Sequence, residues 1–82
     1  MNYKVKLHPK VDKFLTKLHP EVEDRIRQKL RLLKIDPFHY LEHFERESCY
    51  KLRIGDYRAL IDIDKNLIFV RVIDHRSRIY SR

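Results

Sequence analysis

Apolar positions along the chain repeat first every second residue, then every third or fourth, then every second again. In residues 3–7, Tyr3, Val5 and Leu7 alternate with Lys4 and Lys6, as a half-buried strand requires. His8-Pro9 ends that strand, because Pro suits the first turn of a helix, and Val11, Phe14, Leu15 and Leu18 then recur at helical spacing. A second pair, His19-Pro20, restarts the helical pattern with Glu21, Glu23 and Asp24 near the positive end of the helix dipole. Val22, Ile26, Leu30 and Leu33 form its apolar stripe, and Pro37 predicts a stop near Ile35 or Asp36. Residues 37–47 have no clean period and read as a connecting segment with Phe38, Leu41 or Phe44 turned inward.

Alternation returns in three runs, at about residues 48–54, 57–63 and 67–73. Gly55-Asp56 joins the first two, since Gly at the first central position marks a two-residue hairpin turn. That turn sets Ile54 opposite Tyr57, Arg53 opposite Arg58, Leu52 opposite Ala59 and Tyr50 opposite Ile61. A turn at Lys65-Asn66 sets Ile63 opposite Ile68, Ile61 opposite Val70, Ala59 opposite Val72 and Arg58 opposite Ile73. One sheet face is then free of charge, and a one-residue slip would bury every cation of the other. Ile79-Tyr80 reads as a fourth short strand. The expected fold is α+β: an N-terminal strand, a two-helix hairpin, then a curved antiparallel sheet of three to four further strands with the helices packed on one face.

Length and charge narrow the setting. Eighty-two residues make a single domain, 1–82, and 43% apolar content with one Gly and three Pro fits a folded chain. Nineteen Lys and Arg against twelve Asp and Glu give a formal charge of +7. Ten basic and five acidic residues precede Glu42 and nine and seven follow, so the surplus belongs to the domain and not to a tail. Such a surplus suits nucleic acid, an acidic protein or a membrane surface, and equally a very soluble charged chain. Cys49 alone makes no internal disulfide, and the N-terminus lacks the apolar run of a signal peptide. No segment approaches the roughly 20 apolar residues of a membrane span, so a cytoplasmic protein is expected.

The outer face of the predicted sheet carries Lys51, Arg53, Arg58 and Arg71, with Asp62 to offset them. Like charges directly opposed destabilise a sheet. Either the face is simply solvated, or an anion occupies it. Leu60, Phe69 and Ile73 beside the cations favour a surface that holds RNA through phosphate neutralisation and aromatic contact.

The succession K-x-R, G-D-Y-R and H-R-x-x-x-Y, at Lys51 to Arg53, Gly55 to Arg58 and His75 to Tyr80, resembles the RelE-family toxins of the RelE/ParE toxin–antitoxin superfamily. The resemblance covers nearly the whole chain. It implies a ribosome-dependent endoribonuclease that cleaves mRNA in the ribosomal A site and needs no metal or cofactor. It also implies a RelB-like antitoxin that binds the toxin in a hetero-oligomer, and no membrane. Matched motif to motif, Lys51, Arg53, Arg58, Arg76 and Tyr80 become the catalytic set. Lys51, Arg53 and Arg58, with Arg71 from the charge pattern, become the RNA-binding set.

In such cleavage the 2′-OH attacks the adjacent phosphorus, so a base, cations for the extra negative charge and an acid for the leaving 5′ oxygen are required. Lys51 is the first candidate base and Tyr80 the second. Arg53 and Arg58 hold phosphate, Arg76 serves the transition state, and Tyr80 stacks on a base. Two departures from the family pattern matter. Arg53 replaces a second Lys and cannot release its proton, whereas His75 stands in place of a Lys and becomes a candidate acid or base. Two residues follow Tyr80, too few for a further C-terminal helix. The string His39-Tyr40-Leu41-Glu42-His43 matches H-x-x-E-H, but that metal site needs a long helix and a distant third ligand, so no metal is expected. Rival readings are a ParE-like toxin acting on DNA gyrase, and a non-catalytic RNA-binding relative.

Overall fold

Both His-Pro pairs begin helices, and in both the histidine is the cap. The computed structural model describes residues 2–81; Met1 and Arg82, the ends of the expected domain, lie outside the described residues. Strand β1, Lys4–Leu7, leads into α1, Pro9–Thr16, and α2, Pro20–Leu32. His8 Nδ1 accepts from the Lys10 amide at 3.0 Å and His19 Nδ1 from the Glu21 amide at 3.2 Å. Each ring thus satisfies one of the orphan donors of a helix start, while Pro9 and Pro20 supply a preset φ. Arg27 joins the helices, donating to Asp12 of α1 and Glu23 of α2 at 2.9 Å each.

The segment expected to be irregular is ordered as a short helix α3, Pro37–Tyr40, a strand β2, Leu41–Phe44, and a 3-10 turn, Glu45–Glu47. Strands β3, Cys49–Ile54, β4, Tyr57–Asp64, and β5, Leu67–His75, follow, and α4, Arg76–Ile79, ends the fold. The strand order is β1-β5-β4-β3-β2. Strands β2 to β5 are antiparallel, as expected, and β1 pairs parallel with β5, which makes the sheet mixed. The fourth later strand is therefore β2. Residues 79–80 are not a strand: His75 Nδ1 accepts from the Ser77 amide and turns the chain into α4. The H-x-x-E-H string straddles the junction of α3 and β2, with His39 on one element and Glu42 and His43 on the other.

The β3–β4 register is the predicted one, through Tyr50 opposite Ile61. Gly55 has φ +58°, the left-handed conformation that its turn position requires. The β4–β5 register agrees only as far as Ile61 opposite Val70. A bulge then sets Leu60 against Val72, Ala59 against Ile73 and Arg58 against Asp74. Arg71 is the extra residue, and alternation on β5 reverses beyond it.

The reversal redistributes the apolar residues. Ile73 joins the main core with Val11, Leu15, Ile26, Leu30, Leu33, Leu52, Ile54, Ala59, Ile61, Ile68 and Val70, between helices and sheet. On the outer face Leu60 is not part of an open surface. It is fully buried with Phe44, Cys49 and Ile79, and Val72 packs against them. Of the three residues expected to turn inward from the connecting segment, Phe44 is buried, Leu41 half-buried and Phe38 exposed. No helix among the described residues is long and apolar enough to cross a membrane.

Candidate functional site

Burial of Ile79 in the outer cluster draws α4 across the sheet and delivers Tyr80 to the middle of β3. The Arg76 amide donates to the Asp56 carbonyl at 2.8 Å, tying the start of α4 to the hairpin turn, and the Arg46 guanidinium donates to the Tyr80 carbonyl. Lys51 Nζ then donates to Tyr80 Oη at 2.8 Å and lies 5.6 Å from the Phe44 ring centre. The two residues are 29 apart in sequence, so the contact depends on the whole β3–β4–β5–α4 path.

Arg58 reaches the same hydroxyl from β4. It is 5% exposed, and its Nη1 donates to the carbonyls of Gly55 at 2.8 Å and Tyr57 at 2.7 Å. Its Nε is buried and has no hydrogen-bond partner. Hydrogen bonds from Lys51 and, secondarily, Arg58 pull the Tyr80 phenol below its ordinary range, because both cations favour the phenolate. Tyr80 is 41% exposed, so this polarised oxygen stands at the surface.

Arg53, directly opposite Arg58, points into solvent. Glu42, opposite Lys51 on β2, faces both of its neighbours: Oε2 lies 3.7 Å from Lys51 Nζ and Oε1 lies 3.9 Å from Arg53 Nε. Sequence reasoning missed this carboxylate. On so short an edge strand Leu41 packs on the helix side and Phe44 on the outer side, so neither face shows a period. The available signal was Glu42 itself, following Leu41 and just upstream of a strand carrying Lys51 and Arg53.

The other expected site residues are elsewhere. Arg71 makes a bidentate pair with Asp62, at 2.5 and 2.7 Å, and approaches Glu47 at 3.7 Å, so carboxylates already engage it. His75 is paired with Tyr57 across β4–β5 and therefore points to the helix-covered face, where its ring meets the Tyr57 ring. The structure does not bring it to Lys51 and Tyr80. Arg76 is exposed at the first position of α4 and its guanidinium bonds to no described residue. Cys49 is buried, and burial pushes its thiol up.

This arrangement, a polarised phenol flanked by one ammonium and one buried guanidinium with a second guanidinium alongside, is equipped to accept a proton and to hold an anion. No group of residues suited to binding a metal is present among the described residues. A family model described as the ParE toxin of the type II toxin–antitoxin system parDE matches residues 5–80. Among solved structures, the fold is similar to the toxin–antitoxin complex RelBE2 from Mycobacterium tuberculosis. The identity is 25%, covering 93% of this chain and 100% of that one, with a TM-score of 0.82. The RelE–RelB complex from Pyrococcus horikoshii is similar at 24% identity, 95% and 99% coverage and a TM-score of 0.78. The E. coli toxin RelE in the free state, a double mutant, is similar at 24% identity, 99% and 93% coverage and a TM-score of 0.70. No curated protein sequence matches the chain.

Proposed function

Because the chain belongs to the ParE toxin family of type II toxin–antitoxin systems, within the RelE/ParE superfamily, we propose that it is a ribosome-dependent endoribonuclease that blocks translation in the cytoplasm. The observation that carries this reading is the Tyr80 hydroxyl held by Lys51 and Arg58 beside Arg53. A toxin that only docked on a protein has no need of a phenol polarised by two cations.

Tyr80 takes the 2′-OH proton of an mRNA nucleotide. Lys51, a donor without acceptor capacity, stabilises the phenolate form of Tyr80 that accepts this proton and does not act as the base itself. The 2′ oxygen attacks the adjacent phosphorus, and Arg58 and Arg53 neutralise the charge that develops on the phosphate oxygens. Arg76, at the end of the outer face, offsets the charge on the leaving 5′ oxygen, which takes its proton from water. The products are a 2′,3′-cyclic phosphate and a 5′-OH end, and no metal enters. Arg71, already paired, holds the bulge instead of the RNA, and His75 caps α4.

The test is to induce the protein alone and map mRNA 5′ ends on translating ribosomes. New 5′-OH ends within codons support the reading. Intact messages accompanied by DNA breaks would replace it with gyrase inhibition, which the ParE description of the family model favours. A RelB-like antitoxin is the proposed partner, since similar folds occur in RelB–RelE complexes. Copurification with a small protein encoded beside it checks this.

A further inference from the structure

Among the described residues, Glu42 is the carboxylate that approaches both Lys51 and Arg53 within 4 Å. Its two carboxylate oxygens are divided between Lys51 and Arg53, at 3.7 and 3.9 Å, too far for hydrogen bonds. The side chain is 53% exposed. A few residues away Asp62 and Arg71 make two hydrogen bonds of 2.5 and 2.7 Å. The same sheet face thus carries a closed ion pair at Arg71 and an open one at Glu42, and the open one covers the cations assigned to phosphate. With Glu42 and Arg53 exposed and no hydrogen bond to either cation, the contact contributes little to stability, so it separates easily when a better anion arrives.

We propose that Glu42 is a specificity-determining residue: its carboxylate occupies the Lys51–Arg53 cation pair until a phosphodiester displaces it. The proposal deepens the RNA-cleaving reading and rests on it for the identity of that phosphodiester. Lys51 and Arg53, partly neutralised by the one carboxylate between them, offer less to a loose polyanion. A phosphate gains them only when other contacts hold the strand there long enough for Glu42 to swing out. Weak binding of free RNA and full engagement of a strand held in place follow from one edge-strand carboxylate.

Two probes separate this idea from the reading it rests on. The first is inorganic phosphate, titrated into 15N-labelled protein while the Arg53 Nε–H resonance is followed. Glu42→Gln should bind it about fivefold more tightly than wild type, as expected for removing a carboxylate about 4 Å from the anion's partners in water-like surroundings. Glu45→Gln, which removes an exposed charge a few residues away, should change affinity less than twofold. The second probe is a fluorescent single-stranded RNA made uncleavable by 2′-O-methylation. Its log K against log salt slope should steepen by about 0.7 in Glu42→Gln, because losing one carboxylate leaves one more net positive charge to neutralise a phosphate of the single strand. Lys51→Ala in the Glu42→Gln background should abolish both gains. Equal phosphate affinities for Glu42→Gln and Glu45→Gln overturn the proposal whatever RNA does. Tighter phosphate binding by Glu42→Gln, with no RNA binding by any variant, keeps the role of Glu42 and overturns the RNA reading.

Discussion

Arg53 and Arg58 face each other directly across the β3–β4 hairpin, yet one guanidinium is in solvent beside Glu42 and the other is buried on the carbonyls of Gly55 and Tyr57. The like-charge pair persists because its members have different environments. Arg58→Ala should therefore lower stability by about 1–2 kcal/mol, as two hydrogen bonds from a charged donor are lost and the relief of the unpartnered Nε offsets only part. Arg53→Ala should leave the melting curve within about 0.5 kcal/mol of wild type. In single-turnover cleavage on programmed ribosomes, Arg58→Ala should lose about 10²–10³ in rate. An unchanged rate would remove Arg58 from the chemistry.

The Lys51–Tyr80 contact predicts a pH dependence. Tyr80 ionises below the ordinary phenol value of 10.0, owing first to Lys51 and then to Arg58. Its depressed folded value means that the contact's stabilisation is complete above the unfolded pKa and is lost as pH falls through the folded one. A Tyr-selective 13C NMR titration should show Tyr80 ionising earlier in wild type than in Lys51→Ala. Cleavage should rise with pH to a plateau that Lys51→Ala moves upward, and Tyr80→Phe should lose about 10²–10⁴ in rate.

Arg71 closes the bulge of β5 onto Asp62, with Glu47 nearby. Arg71→Ala should destabilise the fold by about 1 kcal/mol, the value of a bidentate pair discounted for exposure. It should change RNA affinity less than Lys51→Ala does. A filter-binding comparison that found the two equal would return Arg71 to the RNA path.

Two turns invite opposite substitutions. Gly55 sits at φ +58°, where an added Cβ would meet only Arg25 Nη1 at an ordinary 3.6 Å, so Gly55→Ala should cost about 1 kcal/mol through the backbone alone. Lys65 sits at φ 56° without the freedom of glycine. Lys65→Gly should gain about 0.5–1 kcal/mol, measurable as a higher denaturant midpoint.

Strong local patterns carried most of this fold. Alternation in YKVKL, the two His-Pro starts, the helical stripes and the Gly55 turn each fix an element with neighbouring residues only, and the first hairpin register followed from them. What stayed hidden depends on distant partners. The bulge at Arg71 leaves alternation intact on either side and reverses it between them. Strand β2 has one apolar residue per face. Ile79-Tyr80 reads as strand until the His75 cap and the pull of Phe44, Cys49 and Leu60 are known. For the site, the motif residues Lys51, Arg58 and Tyr80 were legible and do meet. The partners of the cations, the Glu42 carboxylate and the hairpin carbonyls, were not, because a charge count has no geometry.

Strand β1 is made first but pairs with β5, so a chain emerging N-terminus first carries its opening strand without a partner until nearly the whole domain is out. The Lys51–Tyr80 contact waits equally, since 29 residues must follow Lys51 before its hydroxyl partner exists. Assembled in this order, the chain has no complete candidate site until the domain is nearly finished. The pairing of its edge strand and the closing of its candidate site both come at the end of synthesis, after the two helices have emerged.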